Sequence, residues 1–152
     1  MPRSSKPPPI PTLALASANE VEQQFYAALR GADLEGLMAL WADDDDIVCV
    51  HPGGLRVVGP AAVRASFEAI FSSGPIDIHP EKVRRFEGPA FAVHSVLERV
   101  LVHSTKGDET GWVVATNAYV ETRMGWRVVS HHASPGAQNE PQDGADPAAV
   151  LH

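Results

Sequence analysis

The stretch that decides the fold runs from residue 91 to residue 134: FAVHSVLERVLVHS (91–104), TKGDETGWVVATNAYVET (105–122) and RMGWRVVSHHAS (123–134). Its β-branched and aromatic residues fall into runs parted by Lys106-Gly107-Asp108 and Met124-Gly125. Such runs, separated by turn residues, read as neighbouring antiparallel strands. The spacing predicts strands over 91–103, 112–122 and 126–132, preceded by one over 76–86 that turns at Gly88-Pro89. Val93, Leu97 and Leu101 fall on one face of the strand over 91–103, and Val96, Val100 and Val102 on the other. A sheet with one wet face alternates more cleanly. Helices are therefore expected on one side and a second subunit on part of the other.

Upstream, the period changes. Ser17 is placed to cap a helix with Glu20 as its capping-box partner, and Val21, Phe25, Ala28 and Leu29 recur at helical spacing up to Gly31. Asp33 caps a shorter helix carrying Leu34, Leu37, Met38 and Trp41. The four carboxylates Asp43 to Asp46 close it. They lack the glycine and distal Glu of a calcium loop and read as a solvated helix end. Residues 47–51 and 55–58 are short strands around Pro52-Gly53-Gly54. Gly59-Pro60 then opens a third helix with the stripe Val63, Phe67, Ile70 and Phe71. Helices followed by a long sheet give an α+β class. Residues 1–16, with four prolines after position 6, read as a flexible Pro-rich arm, and 135–152 as a disordered tail. The folded domain is expected over 17–134.

Lys and Arg number 12 against 19 Asp and Glu, a net charge of −7, with no basic cluster. That argues against nucleic acid and against anionic lipid as partners. No apolar run approaches the roughly 18 residues of a membrane helix, and a cytoplasmic location is expected. The one cysteine, Cys49, sits in the apolar run 47–50 and reads as a small core residue.

The run Val21-Glu22-Gln23-Gln24-Phe25-Tyr26-Ala27-Ala28-Leu29, then Ala32 to Gly36, then Ala39-Leu40-Trp41-Ala42-Asp43-Asp44, resembles the opening of ketosteroid isomerase and of SnoaL-like proteins. The ending Gly125-Trp126-Arg127-Val128-Val129-Ser130-His131-His132-Ala133-Ser134 resembles the last strand of the wider nuclear-transport-factor-2-like superfamily, which includes the association domain of calcium/calmodulin-dependent kinases. The resemblance implies a cone: three N-terminal helices packed on a curved, mostly antiparallel sheet around one pocket. It also implies positions. The isomerase's general base falls at His51-Pro52, its first-helix tyrosine at Phe25, and its second oxyanion donor at Asn117. One donor is thus gone, the other and the base have changed type, and the fold hosts many functions.

The candidate catalytic residues are His51 as base, Asn117 as carbonyl polariser and His132 as second acid or base. His51 titrates near neutrality, and an amide can donate to an oxyanion. Strand alternation puts Trp126, Val128, Ser130 and His132 on one face, which by resemblance lines the pocket, and His131 on the other. Trp41, Trp126, Tyr119 and Ser130 are the candidate ligand-binding residues. Adjacent strand residues point apart, so His131 and His132 do not share an ion without a bulge, and no metal or cofactor is expected. The expected function is a homodimeric pocket domain for a small apolar or carbonyl-bearing molecule. The alternatives are a cofactor-independent isomerase, cyclase or dehydratase and, last, a pure assembly domain.

Overall fold

The computed structural model describes residues 15–144. Helix α1 spans Ala18–Gly31 and α2 Leu34–Met38; strands β1 (Val48–Val50) and β2 (Arg56–Val58) follow, then α3 (Pro60–Phe71). Four long strands complete the chain: β3 (Asp77–Glu87), β4 (Phe91–Ser104), β5 (Gly107–Thr122) and β6 (Gly125–Ala133). The caps form as expected. The Ser17 hydroxyl accepts from the Glu20 N–H, and Asp33 accepts from the Gly36 N–H. Glu20 in turn accepts from the Ala16 N–H, one residue before the cap.

The sheet order is β2-β1-β6-β5-β4-β3, antiparallel throughout except where β1 runs parallel to β6. The α+β class and three-helix cone are therefore as expected. No helix among the described residues is long and apolar enough to cross a membrane. The β4–β5 hairpin runs to Ser104 and Gly107, farther than the apolar pattern implies. Residues 102–110 are exposed, so this tip buries neither face and needs no alternation.

The ordered body also reaches past the expected domain limits. Leu15 is 2% exposed, and its carbonyl accepts from the Trp126 N–H at 2.9 Å. Ala137 exchanges two backbone bonds with Trp112. Residues 1–14 of the expected arm and 145–152 of the expected tail lie outside the described residues.

The helices bury their apolar stripes on the inner face of the sheet. Phe25 is a hub there, its ring 5.3 Å from Tyr26, 6.4 Å from Phe67 and 6.5 Å from Trp41. Along α3 the burial decays: Val63 and Phe67 are buried, whereas Ile70 and Phe71 are only half-buried. Val113, Ala115 and Ala133 form a small apolar cluster of their own. The end of α3 thus fails to close on the sheet, and a cavity remains between them.

Candidate functional site

That cavity has a volume of about 220 Å³. Leu29, Phe67, Ile70, Ile76, Ile78, Val100 and Val113 give it apolar walls, with Pro52 beside them. Three titratable side chains also line it: His51, Glu98 and His131. No lysine or arginine does. Pro52 is exposed and Ile70, Ile76 and Val100 are half-buried, so the open side lies among them.

Glu98 and His131 end a buried hydrogen-bonded chain. The Tyr26 hydroxyl donates to Oε2 of Glu98 at 2.7 Å, and Asn117 Nδ2 donates to the Tyr26 oxygen at 3.0 Å. The Asn117 Oδ1 atom lies 2.5 Å from Nδ1 of His131. An amide oxygen can only accept, so the His131 proton sits on Nδ1 and Nε2 keeps a lone pair. Burial holds His131 neutral, its pKa pulled down to about 3, with His51 and His132 adding repulsion. Burial drives the Glu98 carboxyl up to about 7, while the hydrogen bond from Tyr26 pulls the other way. Glu98 therefore exchanges its proton near neutrality, the property an acid–base group needs.

His51 has a similar logic. Its Nε2 lies 3.0 Å from the Ser66 hydroxyl, which donates to the Val63 carbonyl at 2.7 Å. The serine proton is thus spent, so His51 Nε2 carries the proton and donates. Burial lowers the His51 pKa, favouring neutral imidazole. The His51 and His131 ring centroids are 6.4 Å apart. Cys49 is fully buried, and its thiol is pushed up to about 12, which keeps it protonated.

The structure pairs His51 with His131, not with His132. The register between β5 and β6 slips at Ala118/Tyr119: Tyr119 faces Val128 and Ala118 faces Ser130, leaving Val129 as an extra residue. A bulge reverses strand parity beyond it. His131 then turns inward beside Asn117, and Ser130 and His132 turn outward. Both line an open groove of about 860 Å³ on the outer face, with Thr116 and Val114. Asn117 is buried with Val113, Ala115 and Tyr119 as expected, but its amide is engaged on both sides by Tyr26 and His131. It orients His131 and does not line the cavity. Trp41, Tyr119 and Trp126 are 5%, 1% and 8% exposed and pack in the main core. Trp41 borders a different cavity, with Met38 and Arg64.

The sequence reading missed Glu98, Tyr26 and His131. Glu98 shares inward parity with Ala92, His94 and Val96, two polar side chains in a line that is otherwise apolar. Tyr26 follows Phe25, the position at which the resemblance seeks a tyrosine. A second buried polar group adjoins: Glu22 meets His94 at 2.5 Å and Arg85 at 3.0 Å. Among the described residues no three metal-ligating side chains form a metal-binding group.

Comparison with known proteins gives a consistent set. A profile of the SnoaL-like domain matches residues 18–138. A solved structure from Thiobacillus denitrificans, described as a calcium/calmodulin-dependent protein kinase type II association domain, is 31% identical, with a TM-score of 0.74. The match covers 80% of this chain and 97% of that one. A structure from Streptomyces avermitilis, described as a dehydratase of the NTF2-like family, is 28% identical with a TM-score of 0.69, over 77% and 92% of the two chains. An F-box protein of Arabidopsis thaliana, SKIP8, is 25% identical over 130 residues, 81% of this chain. The chain spans about half the length of that curated relative.

Proposed function

Since the chain belongs to the SnoaL-like domain family, within the nuclear-transport-factor-2-like superfamily, we propose that it is a pocket domain binding a small, neutral, largely apolar molecule with one polar end. The observation that carries this reading is the apolar cavity of about 220 Å³ ending on His51, Glu98 and His131. A screen of neutral single-ring compounds, read by methyl NMR at Ile70, Ile78, Val100 and Val113, tests it. Binders should shift these methyls, and Val100→Trp, which fills the space, should abolish the shifts. If no compound moves them, the pocket reading fails.

A second reading is a cofactor-independent isomerase or lyase. Its support is a carboxyl that titrates near neutrality and a neutral imidazole lining one cavity, groups that proton transfer uses. Glu98 would move the proton, with His51 as an additional base and Asn117 acting one step back through His131. Deuterium uptake into a bound carbon acid, lost in Glu98→Gln, is its test.

The domain is also proposed to be a homodimer through the outer sheet face, where Phe91 and Val114 are exposed. A structure named as a kinase association domain shares this fold, which agrees with a role in self-association. Assembly alone ranks below ligand binding, because it leaves the buried titratable groups without use.

A further inference from the structure

Resting on the pocket reading above, we infer that the cavity selects a small neutral hydroxyl compound, an alcohol or a phenol, whose O–H donates to Nε2 of His131. The polarity follows from the chain of bonds behind the imidazole. Asn117 Oδ1 takes the Nδ1 proton of His131, and Asn117 is itself oriented by giving its N–H to Tyr26. Tyr26 has only its own proton left to give, and that goes to Glu98. Every link fixes the next, so His131 Nε2 is held as an acceptor. Among the described residues it has no hydrogen-bond donor, and the residue lines the cavity.

The remaining lining groups narrow the ligand. His51 spends its N–H on Ser66, so it offers a cavity ligand no proton from Nε2. With no cation in the lining, a carboxylate ligand would meet Glu98 and an imidazole lone pair. A ketone or ether brings only acceptors and leaves His131 facing another lone pair, which is costly in a dry site. A hydroxyl satisfies the arrangement: it donates to His131 and its oxygen can accept from Glu98 when that carboxyl holds a proton. Size sets the scale. A cavity of about 150 Å³ takes benzene, so about 220 Å³ takes one substituted ring.

The test titrates phenol, anisole, toluene and benzoate into the full chain at neutral pH, reading calorimetry and cavity methyl shifts. Phenol should bind about tenfold or more tightly than anisole and toluene, and benzoate should not bind. In His131→Phe, toluene should still bind and the preference for phenol should vanish. Nitrogen NMR of the wild-type imidazole should find the His131 proton on Nδ1, a measurement independent of whether that variant folds. If toluene or anisole matches phenol, or the His131 proton lies on Nε2, the donor selection is wrong while the pocket stands. If no probe shifts the methyls, the pocket reading falls and takes this inference with it.

Discussion

Tyr26 on α1 donates its phenolic proton to Oε2 of Glu98 on β4 across 2.7 Å, joining residues 72 apart in the chain. Tyr26 is fully buried and Glu98 is 3% exposed, so the bond lies away from bulk water. Tyr26→Phe should destabilise the domain by about 1–3 kcal/mol, the cost of a buried group left unpaired. It should also raise the Glu98 titration above about 7, because the bond from Tyr26 is what holds it down. Urea unfolding and carboxyl carbon NMR read the two effects. A Glu98 titration unchanged by the substitution would refute the bond.

Glu98 and His131 should pull stability in opposite directions with pH. The Glu98 carboxyl titrates at about 7 in the fold against an ordinary 4.5. The native state holds the extra proton, so this contribution is full below 4.5 and lost as pH rises through about 7. His131 is pulled to about 3 from an ordinary 6.5. Here the unfolded chain holds the extra proton, so the contribution is full above 6.5 and lost as pH falls toward about 3. Between these limits each slope is at most about 1.4 kcal/mol per pH unit, and the two oppose. Glu98→Gln leaves His131 unopposed. Its stability should fall by about 1 kcal/mol per unit on acidification below 6.5, more steeply than the wild type. Parallel wild-type and variant profiles would overturn the assignment.

The bulge at Val129 predicts unequal costs for adjacent histidines. His131 is 5% exposed and bonded to Asn117, so His131→Ala should cost about 2–4 kcal/mol through a cavity and an orphaned amide. His132 is exposed, and His132→Ala should stay within about 0.5 kcal/mol in monomer stability. Thermal unfolding decides, and the reverse order would return His132 to the inner face.

These residues also mark where the sequence stopped being legible. Turn residues and apolar periodicity are local, so the strands after Gly59 and the α+β order could be read directly. The bulge is not local. Val128-Val129 suits an unbroken strand, and only pairing with Ala118 and Tyr119 exposes the extra residue. Glu98 and Tyr26 were passed over because apolar periodicity treats a polar residue as a gap. Their partners lie 72 and 91 residues away, beyond any spacing rule. Position 51 came from the resemblance, which puts the family's base at His51-Pro52, and not from any local spacing.

The N-terminal limit can be tested by truncation. Leu15 is buried and its carbonyl holds the start of β6 at Trp126. A chain of residues 15–138 should melt near the full-length temperature. One starting at residue 16 keeps the Ser17 cap but loses a buried leucine, worth about 1.5–3 kcal/mol, and should melt several degrees lower, at roughly 2–8 °C per kcal/mol. Equal melting of the two would make Leu15 dispensable.

The last prediction concerns the outer sheet face. Phe91, Val93 and Leu97 on β4 share that face, and Leu97 pairs with Val114 on β5. Phe91 is 54% and Val114 39% exposed. Large apolar side chains left exposed on one sheet face are what an interface covers. At a two-fold interface the same patch meets itself, so one substitution enters twice. Val114→Glu therefore brings two like charges into an apolar contact, where each pays desolvation and neither finds a partner. Light scattering at micromolar concentration should give about twice the 16.3 kDa chain mass for the wild type. For Val114→Glu it should give the chain mass itself, with α1 and the cavity unaltered by NMR. A wild-type monomer would remove the dimer. A dimer that survives Val114→Glu would move the interface off this face, leaving the groove beside Ser130 and His132 open to solvent.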